Sequence, residues 1–194
     1  MELIKEQKKA LRKSVREMVA KLDPAYCREA DRAIFLAVTG LVEYKRADTI
    51  FCFVGTEQEI DTSLVLRHAL SHGKRVAVPK CVARGVMTAC LIRSMTDLQT
   101  GSYGILEPGE GAAVIEPEEI DLGVIPCCTC SRSGRRLGYG GGYYDRYLER
   151  MNGTKALICR GKIMRDDIPV EEHDQGVDLV ISEEGVWHIL YTDS

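Results

Sequence analysis

No run in this 194-residue chain approaches the roughly 20 apolar residues needed to cross a bilayer. A spanning helix is therefore not expected. The opening stretch MELIKEQKKALRKSVREM has no continuous apolar core and does not read as a signal peptide. Without a secretion signal, the eight cysteines are expected to sit reduced in the cytoplasm. Basic charge is not in excess either: the net charge is −3 and the pI about 5.9. That gives no reason to expect nucleic acid as a partner, although local basic pockets remain open. Low-complexity tracts, internal repeats and linker-like stretches are all lacking. Composition is ordinary for a globular chain, at 45% hydrophobic and 28% charged residues.

Several catalytic patterns are missing as well. GxSxG does not occur, and His68, His72, His173 and His188 show neither triad nor metal spacing. They read as surface or packing residues. The cluster PCCTC carries Cys127, Cys128 and Cys130, but no second Cys or His pair follows at zinc-ligand spacing. Buried, inert thiols at a strand end are the expectation there.

What is present alternates. Leu11, Val15, Met18 and Leu22 form a helical stripe, and Lys8 and Arg12, four apart, share a helix face. A second helix is signalled by Asp23 as N-cap, Pro24 at the first position and Gly40 as a stop. Residues 61–73 read as another helix, opening on a capping residue and closing on glycine. Apolar, β-rich runs at 48–54, 75–79, 87–93, 121–126, 155–160 and 177–184 read as strands. Buried runs separated by helices predict one α/β domain over residues 1–194, with a mostly parallel sheet flanked by helices.

The least generic stretch is RRLGYGGGYYDRYLERMNG, residues 135–153. Tyr144, Leu148 and Met151 keep a helical stripe, Asp145 falls in the first turn, and Asn152–Gly153 closes the helix. The order is thus strand, basic turn, glycine loop, helix. Glycines allow close backbone approach, helix-start N–H groups lack internal partners, and Arg135 and Arg136 add cationic donors. An anion cradle fits this arrangement; a flexible turn whose tyrosines simply pack is the other reading. It is neither a Walker P-loop, lacking the Lys and Ser/Thr, nor a GxGxxG fingerprint.

SGRRLGYGGGYYDRYL strongly resembles the signature of the 5-formyltetrahydrofolate cyclo-ligases, also called 5,10-methenyltetrahydrofolate synthetases. KKALR (8–12), FVGTEQEIDT (53–62), VAVPK (76–80), YGILEP (103–108), DLGVIP and VDLVISE follow the family's order over nearly the whole chain. The resemblance implies a sheet like that of ribose-5-phosphate isomerase and glucosamine-6-phosphate deaminase. It also implies ATP- and Mg2+-dependent ring closure of 5-formyltetrahydrofolate by a monomer acting on small molecules. By the same resemblance, Lys8 and Arg12 contact ATP. Arg136, Gly138, Gly140, Gly141, Gly142, Tyr143 and Tyr144 form the nucleotide loop. Asp145 and Asp178 hold metal. Val54, Glu59, Tyr139 and the loop from Gly140 to Tyr143 meet the folate. Arg136, Tyr143 and Asp145 carry the catalytic role.

Three positions depart from the family pattern. Tyr139 stands where a basic residue is common, Cys130–Ser131 where many members read F-D, and Lys80 where some have arginine. Two other readings are a binding module that has lost turnover and a sugar-phosphate enzyme. The second leaves Lys8, Arg12 and GGGYYD without a purpose.

Overall fold

The computed structural model describes residues 2–101, 104–171 and 174–190, so Tyr103 of the YGILEP segment and His173 lie outside the described residues. Two helices open the chain, α1 (Glu2–Val19) and α2 (Pro24–Gly40). The second starts as its sequence requires: Asp23 accepts from the Ala25 N–H at 2.8 Å with Pro24 at the first position. A short helix, α3 (Val42–Arg46), leads into β1 (Thr49–Cys52), and α4 (Ser63–Ser71) into β2 (Arg75–Ala83). The hairpin partner of β2 is β3 (Val86–Ile92). Short strands follow: β4 (Leu98–Thr100), β5 (Leu106–Pro108) and β6 (Val114–Ile115). The chain then runs through β7 (Leu122–Ile125), β8 (Thr129–Cys130), β9 (Arg136–Leu137), α5 (Tyr143–Glu149), β10 (Thr154–Ile158), β11 (Leu179–Ser182) and β12 (Gly185–His188).

Eight strands make the main sheet, in the order β12-β11-β10-β7-β1-β2-β3-β6. The five from β11 to β2 are parallel, and antiparallel strands close both sides. β1, β7 and β11 are buried at every position, which is why each reads as an unbroken apolar run rather than an alternation. Ile50, Val76, Leu122, Ala156 and Leu179 point to one face, covered by Ile34 and Val38 of α2 and Leu66 and Ala69 of α4. Phe51, Ala77, Ile125, Leu157 and Val180 point to the other, where Val15 of α1 and Leu148 of α5 cover them. The expected mostly parallel sheet flanked by helices is thus the observed fold. No helix among the described residues is long and apolar enough to cross a membrane.

Two expectations need adjusting. The basic turn after β7 is a small hairpin, with Thr129 opposite Leu137 and Cys130 opposite Arg136. Ser131 and Ser133 close it through a hydroxyl contact of 2.8 Å. And α5 ends at Glu149 with Arg150 as its C-cap, short of the expected close at Asn152–Gly153; the Arg150 side chain pairs with Glu116 and Glu118.

Candidate active site

In a parallel sheet the strands all end on one side, and loops leaving those ends can enclose a cavity. Here the ends of β1, β7 and β10 contribute Val54, Pro126, Cys127, Cys159 and Arg160 to a cavity of about 970 Å³, and the middle of β2 contributes Pro79. α1 lies across it and supplies Lys8 and Arg12; the glycine loop and the start of α5 form a further wall. Of the residues marked from sequence, Lys8, Arg12, Val54, Glu59, Arg136, Gly138, Tyr139, Gly140, Gly141, Gly142, Tyr143, Tyr144 and Asp145 all line this one cavity.

The exception is Asp178, which the structure does not bring to the cavity. It precedes β11 and so sits at the opposite edge of the sheet, where the parallel strands begin. Its carboxylate accepts from the Lys155 N–H at 2.7 Å, tying β10 to β11. Asp121 does the same for β7 and β1, accepting from the Asp48 and Thr49 N–H groups. Both aspartates pin the neighbouring strand's entry, a structural use of a carboxylate at a strand start.

Within the glycine loop, Gly140 has φ +96° and Gly142 φ +69°, left-handed conformations that residues with a side chain rarely adopt. Gly142 is the N-cap of α5 and turns the chain into the helix. Arg12 reaches across from α1 and donates from Nε to the Gly138 carbonyl at 2.7 Å. Among the described residues its terminal nitrogens donate to nothing else, leaving them for a ligand. Burial, then the neighbouring Arg16, pull the Arg12 guanidinium below its ordinary pKa. Arg136 is nearly enclosed. Its Nε donates to the Pro126 carbonyl at 3.2 Å, its Nη1 donates to Asp145 Oδ1 at 2.7 Å, and its guanidinium lies 5.6 Å from the Tyr144 ring centre.

Lys8 is committed to carboxylate partners. Its ammonium is buried and spends its donors on Asp174 Oδ1 and Oδ2 at 2.9 and 2.7 Å and on Glu171 Oε2 at 3.0 Å. Burial alone would lower its pKa, but Asp174 and Glu171 outweigh this and raise it above 10.5. Glu171 and Asp174 line the same cavity, and nothing in the sequence pointed to them.

Glu59 stands on the loop between β1 and α4. Its Oε2 accepts from the Thr56 N–H at 3.0 Å, and its carbonyl accepts from Arg160 at 2.8 Å. Tyr139 keeps 47% of its surface open, yet its hydroxyl end turns inward toward Glu59. Burial there, reinforced by the carboxylate, pushes that phenol well up, as burial also does for Tyr144. Arg160 is a further residue that sequence reading missed. It makes a bidentate pair with Asp31 of α2, at 2.7 and 2.8 Å, and thereby fastens the loop that carries Glu59. An arginine one place beyond Cys159 at a strand end was its one visible sign.

Comparison with known proteins agrees with this geometry. Residues 4–183 match the model of the 5-formyltetrahydrofolate cyclo-ligase family. The mitochondrial 5-formyltetrahydrofolate cyclo-ligase of Arabidopsis thaliana is 30% identical, over 96% of this chain and 77% of its own. A probable 5-formyltetrahydrofolate cyclo-ligase of Schizosaccharomyces pombe is 28% identical, over 93% and 97%. The NMR structure of Aquifex aeolicus 5,10-methenyltetrahydrofolate synthetase superposes with a TM-score of 0.84 at 26% identity, covering 96% of this chain and 95% of that one. With most of its length matched and the loop, arginines and cavity in one place, the chain belongs to the 5-formyltetrahydrofolate cyclo-ligase family.

Proposed function

We propose that this protein converts 5-formyltetrahydrofolate to 5,10-methenyltetrahydrofolate, consuming ATP with magnesium and releasing ADP and phosphate. The observation that carries the reading is the convergence of Lys8, Arg12, Arg136, the Gly138–Gly142 loop and Glu59 on one cavity. An N-formyl group is an amide, and its oxygen leaves poorly. Transfer of the γ-phosphoryl group to that oxygen makes it phosphate; N10 then attacks the formyl carbon and gives up its proton, and phosphate departs as the methenyl bridge closes. Such a reaction asks the protein chiefly to align two ligands and to balance phosphate charge.

In this reading Arg12 and Arg136 hold the triphosphate, with the glycine loop letting the main chain approach it. Lys8 joins them once a phosphate replaces Glu171 and Asp174. Tyr143 and Tyr144 line the nucleotide side. Glu59 accepts from the amino and ring N–H groups of the pterin, with Val54 and Tyr139 as walls. Asp145 fits a hard divalent cation: it is a carboxylate facing the cavity, and among the described residues its Oδ2 has no hydrogen-bond partner. Bound there, magnesium would neutralise phosphate charge. Asp178 has no role in this set. We further propose that residues 1–194 act as one cytoplasmic unit, working as a monomer on small molecules.

The test is the near-ultraviolet absorbance of the methenyl product, followed with purified protein, 5-formyltetrahydrofolate, magnesium and ATP. An increase that needs both ATP and the protein is expected. Binding of ATP by calorimetry with no increase would instead favour a binding module that has lost turnover.

A further inference from the structure

The cysteines expected to be inert do not lie scattered. Cys127 and Cys130 are spaced as C-x-x-C along the β7–β8 segment, and Cys159 comes in from the end of β10. The three sulfurs lie within 4.8 Å of one another and all three residues are buried. Among the described residues no other three Cys, His, Asp or Glu side chains come together in this way. The third sulfur was invisible in the sequence because it belongs to the adjacent strand of the sheet and not to a nearby stretch of chain.

We infer that Cys127, Cys130 and Cys159 form a trithiolate site for a thiophilic divalent cation of the zinc type. Zinc takes thiolate sulfur at about 2.3 Å, in sites that are most often tetrahedral. Sulfurs already within 4.8 Å need only small side-chain rotations to close on such an ion. As thiols, Cys127 donates to the Ile158 carbonyl at 3.6 Å and Cys159 to the Arg160 carbonyl at 3.5 Å, weak S–H bonds that metal binding would replace. Binding releases three protons, so three thiols and one divalent ion become a group of net charge −1. Cys127 and Cys159 also line the cavity, whereas Cys130 does not. The fourth position therefore opens toward the cavity and takes water or a ligand group.

The site is placed to matter. Cys127 follows Pro126, whose carbonyl holds Arg136; Cys130 pairs across the hairpin with Arg136 itself; Cys159 precedes Arg160. One ion would tie together the three segments that position both arginines at the cavity floor. Nothing in the proposed ring closure uses these sulfurs, so the two readings stand or fall separately.

The experiment starts from protein purified without oxygen and under reduction, equilibrated with zinc or cobalt(II) salt and then desalted. One metal per chain is expected to remain. The cobalt form should show thiolate charge-transfer bands and the intense visible bands of a four-coordinate ion. Cys130→Ser and Cys159→Ser should lose the retained metal, while Cys27→Ser, on α2, should keep it. Zinc X-ray absorption on the unaltered protein serves if those variants do not fold, and three sulfurs at about 2.3 Å are expected. Four results would each overturn the assignment. They are no retained metal with all eight thiols titratable, full retention by both cysteine variants, a first shell of nitrogen and oxygen, or a Cys127–Cys130 disulfide in protein prepared without oxygen.

Discussion

Lys8 and Arg12 sit one helical turn apart on the same face, yet the structure treats them differently. The Lys8 ammonium is already occupied by two carboxylates, while among the described residues Arg12 spends only its Nε on the protein. A triphosphate would therefore meet Arg12 directly and Arg136 beside its bond to Asp145, but would have to displace Glu171 and Asp174 from Lys8. Two outcomes belong at this scale. Arg136→Ala should raise the KM for ATP more than that for folate, by roughly tenfold or more, since a buried charge-assisted contact to phosphate is lost. Steady-state kinetics against each substrate check it, and the reverse ordering would move the triphosphate elsewhere in the cavity. Asp174→Asn should lower the KM for ATP severalfold, because it weakens the competitor for Lys8. A raised KM would mean that Asp174 holds Lys8 in position and does not compete for it.

At the scale of elements, the strands 48–54, 121–126 and 177–184 were legible because burial on both faces leaves an unmistakable apolar run. The cap of α2 was legible because Asp23 and Pro24 act locally. β4, β6, β8 and β9, at two or three residues each, carry too few positions for any period to register. Asp178 shows a different limit: the sequence put it beside a strand, but only the sheet decides which end of that strand faces the cavity. Cys159 and Arg160 show the same limit in reverse, joining the site through strand adjacency alone.

The α3–α4 contact carries a prediction at this scale. The Tyr44 hydroxyl lies 2.8 Å from His68 Nδ1, the His72 ring stacks on His68 at 3.9 Å, and Phe35 meets it edge-on. Burial, then His72 and Lys74, lower the His68 pKa below its ordinary 6.5. A base whose pKa falls on folding binds fewer protons in the native state. Its contribution is therefore complete above 6.5 and is lost as pH drops through the folded value. The Tm should decline between about pH 7 and about pH 5 by more in the parent protein than in His68→Gln. Parallel pH–Tm curves for the two would show that His68 titrates as freely folded as unfolded.

At the scale of the whole molecule, the pair Arg160–Asp31 joins α2, the end of β10 and the loop carrying Glu59. Arg160 is 5% exposed and Asp31 9%, which sets this pair apart from Arg150 with Glu116 and Glu118 on the surface. An exposed pair contributes about 0–1 kcal/mol. Removing one partner of a buried pair costs about 3–5 kcal/mol, because the remaining charge is stranded out of water. Asp31 also accepts from the Asp61 N–H at 2.9 Å, so its loss frees the Glu59–Asp61 end of the loop twice, directly and through Arg160. Asp31→Ala should therefore lose about 3–5 kcal/mol in urea unfolding. It should also raise the KM for folate more than that for ATP, since Glu59 and not the glycine loop loses its anchor. Asp31→Ala combined with Arg160→Met should recover some of the stability, as no charge is then left buried, without restoring the folate KM. A single variant that unfolds within about 1 kcal/mol of the parent would mean that water reaches Arg160 and that the pair behaves as a surface contact. Recovery of both stability and folate KM in the double variant would mean that the charge imbalance, and not the tether, had displaced Glu59.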